Sequence, residues 1–245
     1  MRVDGRQSTE LRPVQFQTGF LEHHRGSVLV SFGRTRVLVT ATHEERVPPH
    51  RVSSGGGWLT AEYAMLPAST HERRRRDIST GRPDGRSVEI QRLIGRALRN
   101  VVRLDDLGPI TLHVDCDVLQ ADGGTRTAAI TGAWVALRLC LEDLRARKLL
   151  KCPVEKVLTA QVAAVSLGLV KGEVFTDLCY EEDARADTDL NLVARQDGLL
   201  IEVQGTAEGD AMSRAQLDRL VDQGMEAIAA LCRLQQAAIA QALHG

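Results

Sequence analysis

Aromatic residues are scarce: four Phe, two Trp and two Tyr make up 3% of the 245-residue chain. A protein that holds RNA by stacking successive bases on a ladder of rings needs more. Any nucleic acid bound here is therefore expected to be gripped by its backbone. Lysine is nearly missing as well. Lys148, Lys151, Lys156 and Lys171 are the whole set, and with Lys and Arg totalling 31 the other 27 cations are arginines. A biased genome explains such a ratio, and so does a need for planar, two-pronged contacts to phosphate. Net charge is −1, so the protein is no polycation, and nucleic-acid binding has to come from local patches. The five cysteines (Cys116, Cys140, Cys152, Cys179, Cys232) are odd in number and never spaced Cys-x-x-Cys. That argues against a zinc site or a disulfide framework and for reduced thiols in a cytoplasmic protein. The first residues are charged (Arg2, Asp4, Arg6) rather than an apolar signal, and no run approaches the roughly 20 apolar residues of a membrane span. The expectation is a cytoplasmic protein with no membrane partner.

The apolar fraction, 43%, is enough for a packed core, and the length suits one large domain or two small ones. Ser27–Phe32 and Thr35–Thr42 predict a hairpin turning at Gly33-Arg34. Pro48–Gly57 reads as a loop and Trp58–Leu66 as a further strand. Ser87–Val102 predicts a helix, with Ile90, Ile94, Ala97, Leu98 and Val101 on one face and Arg92, Arg96, Arg99 and Arg103 off it. Lys148–Pro153 marks a boundary, which divides the chain into residues 1–150 and 151–245. Beyond it, Val157–Val170 and Val174–Cys179 predict strands around Lys171-Gly172, and Asn191–Ala194 with Leu199–Val203 a hairpin around Asp197-Gly198. Ser213 and Gln216 fit a capping box, and Met212 and Leu217 a hydrophobic staple, at the start of a long terminal helix. Both halves run hairpins first and helix last, which hints at a duplication, although no residue-level repeat is visible.

Three stretches carry chemistry. The first joins a strand to a helix. Ile110, Leu112, Val114, Cys116 and Val118 alternate with polar residues, while Ile130, Trp134, Leu137, Leu141 and Leu144 recur at helical steps. Between them lies Leu119-Gln120-Ala121-Asp122-Gly123-Gly124-Thr125-Arg126-Thr127. The first turn of a helix offers unpaired N–H groups and a partial positive charge to an anion. Gly123 and Gly124 let the backbone approach a bound group, and Arg126 adds a fork that matches phosphate. An ordinary tight turn capped by Asp122 or Thr125 accounts for the stretch equally well. It is not a P-loop, because no Gly-Lys-Ser/Thr follows.

The second stretch, Thr70–Arg86, centres on Arg73-Arg74-Arg75-Arg76 and has almost no apolar content. It reads as an exposed, mobile loop, either a solvated charge run or a clamp on a phosphate backbone. The third is acidic: Asp177, Glu181, Glu182, Asp183, Asp187 and Asp189. Gathered carboxylates suit Mg²⁺ or acid catalysis, and a solvated acidic loop is the plain alternative. An anion cradle, an arginine-rich loop and a carboxylate cluster in one chain are the parts of a phosphoryl-transfer site.

These stretches carry a family resemblance. Arg2-Val3-Asp4-Gly5-Arg6, Glu45-Arg46-Val47-Pro48-Pro49, Thr60-Ala61-Glu62-Tyr63, Glu89-Ile90-Gln91-Arg92-Leu93-Ile94-Gly95-Arg96, Val114 through Gly132 and Ile201 through Gly209 resemble the ribonuclease PH family, phosphate-dependent exoribonucleases that trim tRNA 3′ ends. The resemblance covers nearly the whole chain. It implies an α+β fold of two similar βα halves with mixed sheets and packed helices, assembled as a homo-hexameric ring, a trimer of dimers. It implies that inorganic phosphate attacks the last 3′–5′ linkage of tRNA precursors and other RNA 3′ ends, releasing nucleoside diphosphates.

Position by position, the family's phosphate site falls on Arg86, Gly124, Thr125 and Arg126. Its paired aspartates fall on Asp177 and Asp183, implicated in Mg²⁺ binding and acid catalysis, with Asp189 a third metal carboxylate. RNA contacts are expected from Arg73, Arg74, Arg75 and Arg76 of the loop and from Arg92 and Arg96 of the helix. Two positions depart from the family: Ala68 stands where an arginine is usual, which removes one expected contact, and Ala64 where a glycine is usual, which restricts the local backbone. The competing expectations are a catalytically inert, RNA-binding ring subunit of an exosome-like assembly and a nucleotide-hydrolysing enzyme. The first generally lacks part of the site, and the second is disfavoured by the missing lysine after the glycines.

Overall fold

In this computed structural model the described residues are 2–76, 79, 81–82 and 84–244. The chain begins with an arm that leads into β1 (Val14–Thr18), followed by the predicted hairpin, β2 (Ser27–Phe32) and β3 (Thr35–Glu44). One helical turn, α1 (Pro49–Val52), interrupts the stretch expected to be loop. Pro48 and Pro49 set it up, since proline at the first helical position loses no hydrogen bond. Then come β4 (Trp58–Met65), α2 (Gly85–Val101), α3 (Leu104–Leu107) and β5 (Thr111–Gln120). The first sheet has the order β1-β2-β3-β5-β4. Its β4–β5 pair is parallel and the others antiparallel, and the β4–β5 crossover carries α2, as parallel strands require. Arg86 is thus a helical residue rather than the end of a loop. The rest of the Thr70–Arg86 expectation falls partly on residues 77, 78, 80 and 83, outside the described residues. Ala64 lies in β4 opposite Asp117 and is not among the residues with positive φ, so the position makes no demand for glycine.

The second half contains α5 (Val154–Val157), β6 (Val162–Val170), β7 (Glu173–Thr176), α6 (Tyr180–Asp183), β8 (Thr188–Arg195), β9 (Leu200–Ala207) and α7 (Arg214–His244). Its four strands form an antiparallel sheet of order β7-β6-β8-β9. The strand expected from Val157 starts at Val162, because Pro153 opens a helical turn first and Leu158 bridges to Val102. An unbroken apolar run does not reveal where such a turn ends. The capping box at α7 is present: the Ser213 N–H donates to Gln216 Oε1 at 2.7 Å and the Gln216 N–H to Ser213 Oγ at 3.3 Å. Met212 and Leu217 both pack against the core.

Between the halves lies α4 (Thr125–Ala146). The periodicity predicts a single apolar stripe, but the helix is buried around most of its circumference. Ala128, Ala129, Ala133, Val135 and Ala136 are as inaccessible as Ile130, Leu137 and Leu141. It is packed against β2 and β3 of one sheet and β6 of the other. Small residues make this possible: a Cβ on Gly132 would stand 2.7 Å from Val30 Cγ1. The polar groups caught there are paired, as burial demands. Thr131 Oγ1 accepts the Ala164 N–H at 3.0 Å, Trp134 Nε1 donates to the Ala160 carbonyl, and Gln235 of α7 donates to the carbonyls of Thr131 and Val162. The core is therefore continuous across both halves, and α4 is its axis. Whatever sits at the first turn of α4 is held by the whole molecule.

Candidate active site

The strand-to-helix corner is built by two consecutive left-handed residues, Gly123 (φ 74°) and Gly124 (φ 63°). Side chains resist that conformation, and at Gly123 there is no room for one: a Cβ would lie 2.5 Å from the Leu178 carbonyl oxygen. The backbone of the acidic stretch rests directly on the corner, and the Tyr180 N–H donates to Asp122 Oδ1 at 3.3 Å. Carbonyl groups of the turn are drawn inward. Arg12 donates to the carbonyls of Asp122 and Gly123, and the Thr35 hydroxyl donates to the Gly123 carbonyl at 2.7 Å.

The capped-turn alternative does not hold. The residue at the N-cap is Gly124, with no side-chain cap bond. The first intrahelical bond runs from the Ala128 N–H to the Gly124 carbonyl, so the N–H groups of Thr125, Arg126 and Thr127 have no partner within the helix. Tyr63 donates its phenol proton to Thr125 Oγ1 at 2.9 Å, which leaves the Thr125 hydroxyl proton for another acceptor. Burial pushes the Tyr63 phenol up, keeping it a donor. The corner thus keeps donors that the helix itself does not use.

Cations surround it. Arg126 is the second residue of α4, and its Nη1 donates to Gln204 Oε1 of β9 at 2.5 Å and to Glu89 Oε1 of α2 at 3.4 Å. Arg86 stands exposed in the first turn of α2. The charges of both arginines reach Tyr63 and Asp183. The four residues of the predicted phosphate site, Arg86, Gly124, Thr125 and Arg126, thus converge.

The acidic stretch divides. Glu182 is buried and bound to Arg2 at 2.6 Å, and Asp187 Oδ2 accepts the Lys171 N–H. Asp177 is fully buried at φ 55°, and Arg12 takes both its oxygens, Nη2 to Oδ1 at 2.7 Å and Nε to Oδ2 at 2.9 Å. Burial opposes the Arg12 charge, but the hydrogen bonds and charge of Asp177 outweigh it and hold the guanidinium above its ordinary range. Both oxygens of Asp177 are thus engaged by Arg12, which sets it apart from the solvent-facing carboxylates of the stretch. Asp183, at the end of α6, is open to solvent, yet the protein around it raises its pKa by desolvation first and by the charge of Asp189 second. Arg86 and Arg126 pull the other way. Among the described residues, no group of three or more His, Cys, Asp or Glu is arranged to hold a metal. What remains for a hard cation is the pair Asp183 and Asp189. Two carboxylates suit Mg²⁺, which fills its other positions with water and phosphate oxygens.

Of the predicted RNA contacts, Arg73, Arg75, Arg76 and Arg92 are exposed. Arg74 pairs with Asp84 at 2.9 Å, and Arg96 with Glu202 of β9 at 2.8 Å. The sequence reading missed Arg12, Thr35, Tyr63, Glu89 and Gln204. Three of these, Tyr63, Glu89 and Gln204, lie inside stretches singled out above, and only the fold brings them to the corner.

Known proteins match the chain along nearly its whole length. The model of the 3′ exoribonuclease family, domain 1, matches residues 10–141, and that of domain 2 matches residues 160–227. The chain is 52% identical over 244 residues to a ribonuclease PH of Rhodococcus erythropolis, spanning 100% of this chain and 93% of that one. It is 53% identical over 238 residues to a ribonuclease PH of Mycolicibacterium gilvum, spanning 97% and 91%. Among solved structures, rice (Oryza sativa) Rrp46 superposes with a TM-score of 0.77 at 19% identity over 97% of this chain and 100% of that chain. An Archaeoglobus fulgidus exosome with RNA bound to its active site superposes with a TM-score of 0.77 at 23% identity, over 95% and 91%. These two share the fold.

Proposed function

The chain belongs to the ribonuclease PH family of 3′ exoribonucleases, and from that premise we infer that it is a phosphorolytic 3′→5′ exoribonuclease. Inorganic phosphate is its co-substrate and nucleoside diphosphates are its products. The observation that carries this reading is the convergence of the corner's free donors with Arg86, Arg126 and Asp183. A phosphate dianion held by Thr125, Arg126, Arg86 and the first-turn N–H groups is fixed in place before it reacts, and fixing two reactants together supplies much of the rate. Its oxygen bonds to the phosphorus of the last linkage as the bond to the 3′ oxygen breaks, and the proton given up by the attacking hydrogenphosphate balances the one that the departing 3′ oxygen takes up. The guanidinium groups counter the negative charge that gathers on the transferred phosphoryl group.

Asp183 and Asp189 would hold Mg²⁺, which, when bound, further neutralises that charge. Asp177 anchors the site through Arg12 instead of meeting the metal. The exposed arginines Arg73, Arg75, Arg76 and Arg92 steer the RNA backbone inward, which makes binding sensitive to salt. We assign tRNA precursors as substrate and a homo-hexameric ring as the assembly, both from family membership. No described helix is long and apolar enough to cross a membrane.

One assay separates the readings. A short RNA is incubated with Mg²⁺ and either phosphate or water. Nucleoside diphosphates formed with phosphate support phosphorolysis. Monophosphates formed in water indicate hydrolysis, and no release at all indicates an inert ring subunit. Sizing chromatography tests the hexamer.

A further inference from the structure

Two stretches that carry the family match, Glu89–Arg96 and Ile201–Gly209, each send to Arg126 a side chain that the mechanism has not used, Glu89 from the first and Gln204 from the second. Gln204 Oε1 accepts from Arg126 Nη1 at 2.5 Å, and Glu89 Oε1 accepts from the same nitrogen at 3.4 Å. Gln204 Nε2 donates to Glu89 Oε1 at 3.4 Å, which closes a triangle. The three residues come from α4, α2 and β9, so the triangle spans both halves. The Arg126 side chain is 13% exposed, whereas that of Glu89 is 41% exposed. The cation is therefore held inside while the anion lies at the solvent edge.

The two acceptors act differently on the cation. A neutral amide oxygen orients a guanidinium and leaves its charge intact. A carboxylate orients it too, but cancels part of the field that an incoming anion feels. We infer that Gln204 and Glu89 are positioning residues that set the phosphate affinity of Arg126. Gln204 aims the guanidinium at the corner. Glu89 is a resident counter-charge with which phosphate competes. The inference rests on phosphate docking at Arg126. Its consequence is specific: affinity for the co-substrate is held below what the corner's donors alone would give, and one carboxylate sets the difference.

Glu89→Gln keeps the shape and an acceptor but removes the charge. The KM for phosphate is expected to fall by about two- to fivefold, the effect of a partly exposed ion pair, while the KM for RNA holds steady. Gln204→Glu places a second carboxylate on Arg126 and is expected to raise the KM for phosphate by about tenfold or more, with a smaller change in kcat at saturating phosphate. The rise in melting temperature on adding phosphate should grow in Glu89→Gln and shrink in Gln204→Glu, a readout that a purely structural role would not move in opposite directions. If both variants keep the parent's KM for phosphate within twofold, the inference is overturned. If Gln204→Glu does not fold, Glu89→Gln decides alone. Arg126→Ala is run alongside. Phosphate-dependent cleavage that survives in it removes the docking site itself. Cleavage lost there, with unchanged phosphate KM in the other two variants, overturns only the roles of Glu89 and Gln204.

Discussion

Arg12 and Asp177 form a two-point ion pair in which both side chains are withdrawn from water, 3% and 0% exposed. The Arg12 backbone N–H adds a third bond to Asp177 Oδ2 at 2.8 Å. Since the same guanidinium holds the Asp122 and Gly123 carbonyls, one residue joins the N-terminal arm, the glycine corner and the acidic stretch. The left-handed backbone of Asp177 costs about 1–3 kcal/mol for a residue other than glycine, and the pair with Arg12 holds it there.

Asp177 and Asp183 should therefore fail in different ways. Asp177→Asn strands a buried guanidinium, and removing one partner of a buried pair costs about 3–5 kcal/mol. Urea denaturation should show that loss, with activity falling alongside it. Asp183→Asn should lose phosphorolysis while its urea midpoint holds or rises slightly, because the raised pKa of Asp183 marks a charge that the fold accommodates at a cost. Equal stability of both variants would return Asp177 to a purely catalytic role.

Arg126→Ala should abolish phosphate-dependent trimming and leave RNA binding largely intact, because the exposed arginines lie elsewhere. Gel-shift affinity measured beside diphosphate release checks both halves of that statement. Undiminished phosphorolysis would take the corner out of the mechanism.

Gly123→Ala and Gly198→Ala make a matched pair. Both residues have positive φ, 74° and 90°, but a Cβ on Gly198 meets nothing within 4 Å. Gly198→Ala should cost only the strain, about 1–2 kcal/mol, with activity retained. Gly123→Ala adds a clash with the Leu178 carbonyl, which must push the acidic segment off the corner, so stability and kcat should both fall. Thermal melts and initial rates separate the two cases.

The first sheet makes a prediction about pH. Asp115 and Asp117 lie on one strand near Glu62, and their carboxyl groups are pushed up by burial first and by Glu62 second. A carboxyl raised in the folded state contributes stability that is fully present below the unfolded-state value. That contribution is lost as pH rises through the folded-state value. The contribution of Asp115 and Asp117 to stability should therefore decline from the ordinary aspartate range upward. Asp117→Asn should flatten that decline and gain a few tenths, roughly 0.2–0.5 kcal/mol, at neutral pH, a small figure because the group is half open to solvent. Denaturation midpoints measured across the acid range would show a steeper decline in the variant if the sign were wrong.

Much of this was legible in the chain because local pattern suffices for it. The alternation in Ser27–Phe32 and Thr111–Gln120, the Gly33 turn and the Ser213–Gln216 cap are decided within a few residues. The double-sided burial of α4 was not legible, because Ala, Gly and Thr do not announce burial by periodicity. Nor was the commitment of Asp177 to Arg12, or of Gln204 to Arg126. These partners stand 165 and 78 positions apart, and no spacing rule connects them. The phosphate-site roles of Arg86, Thr125 and Arg126 were expected from family resemblance, but the Tyr63 donor on Thr125 and the Gln204 and Glu89 acceptors on Arg126 came only with the fold.

The 165 positions between Arg12 and Asp177 also have a meaning in time. Synthesis delivers the arginine long before the aspartate, so a growing chain carries its corner unbraced until the second sheet has emerged. A half-made copy would then have no working scissors.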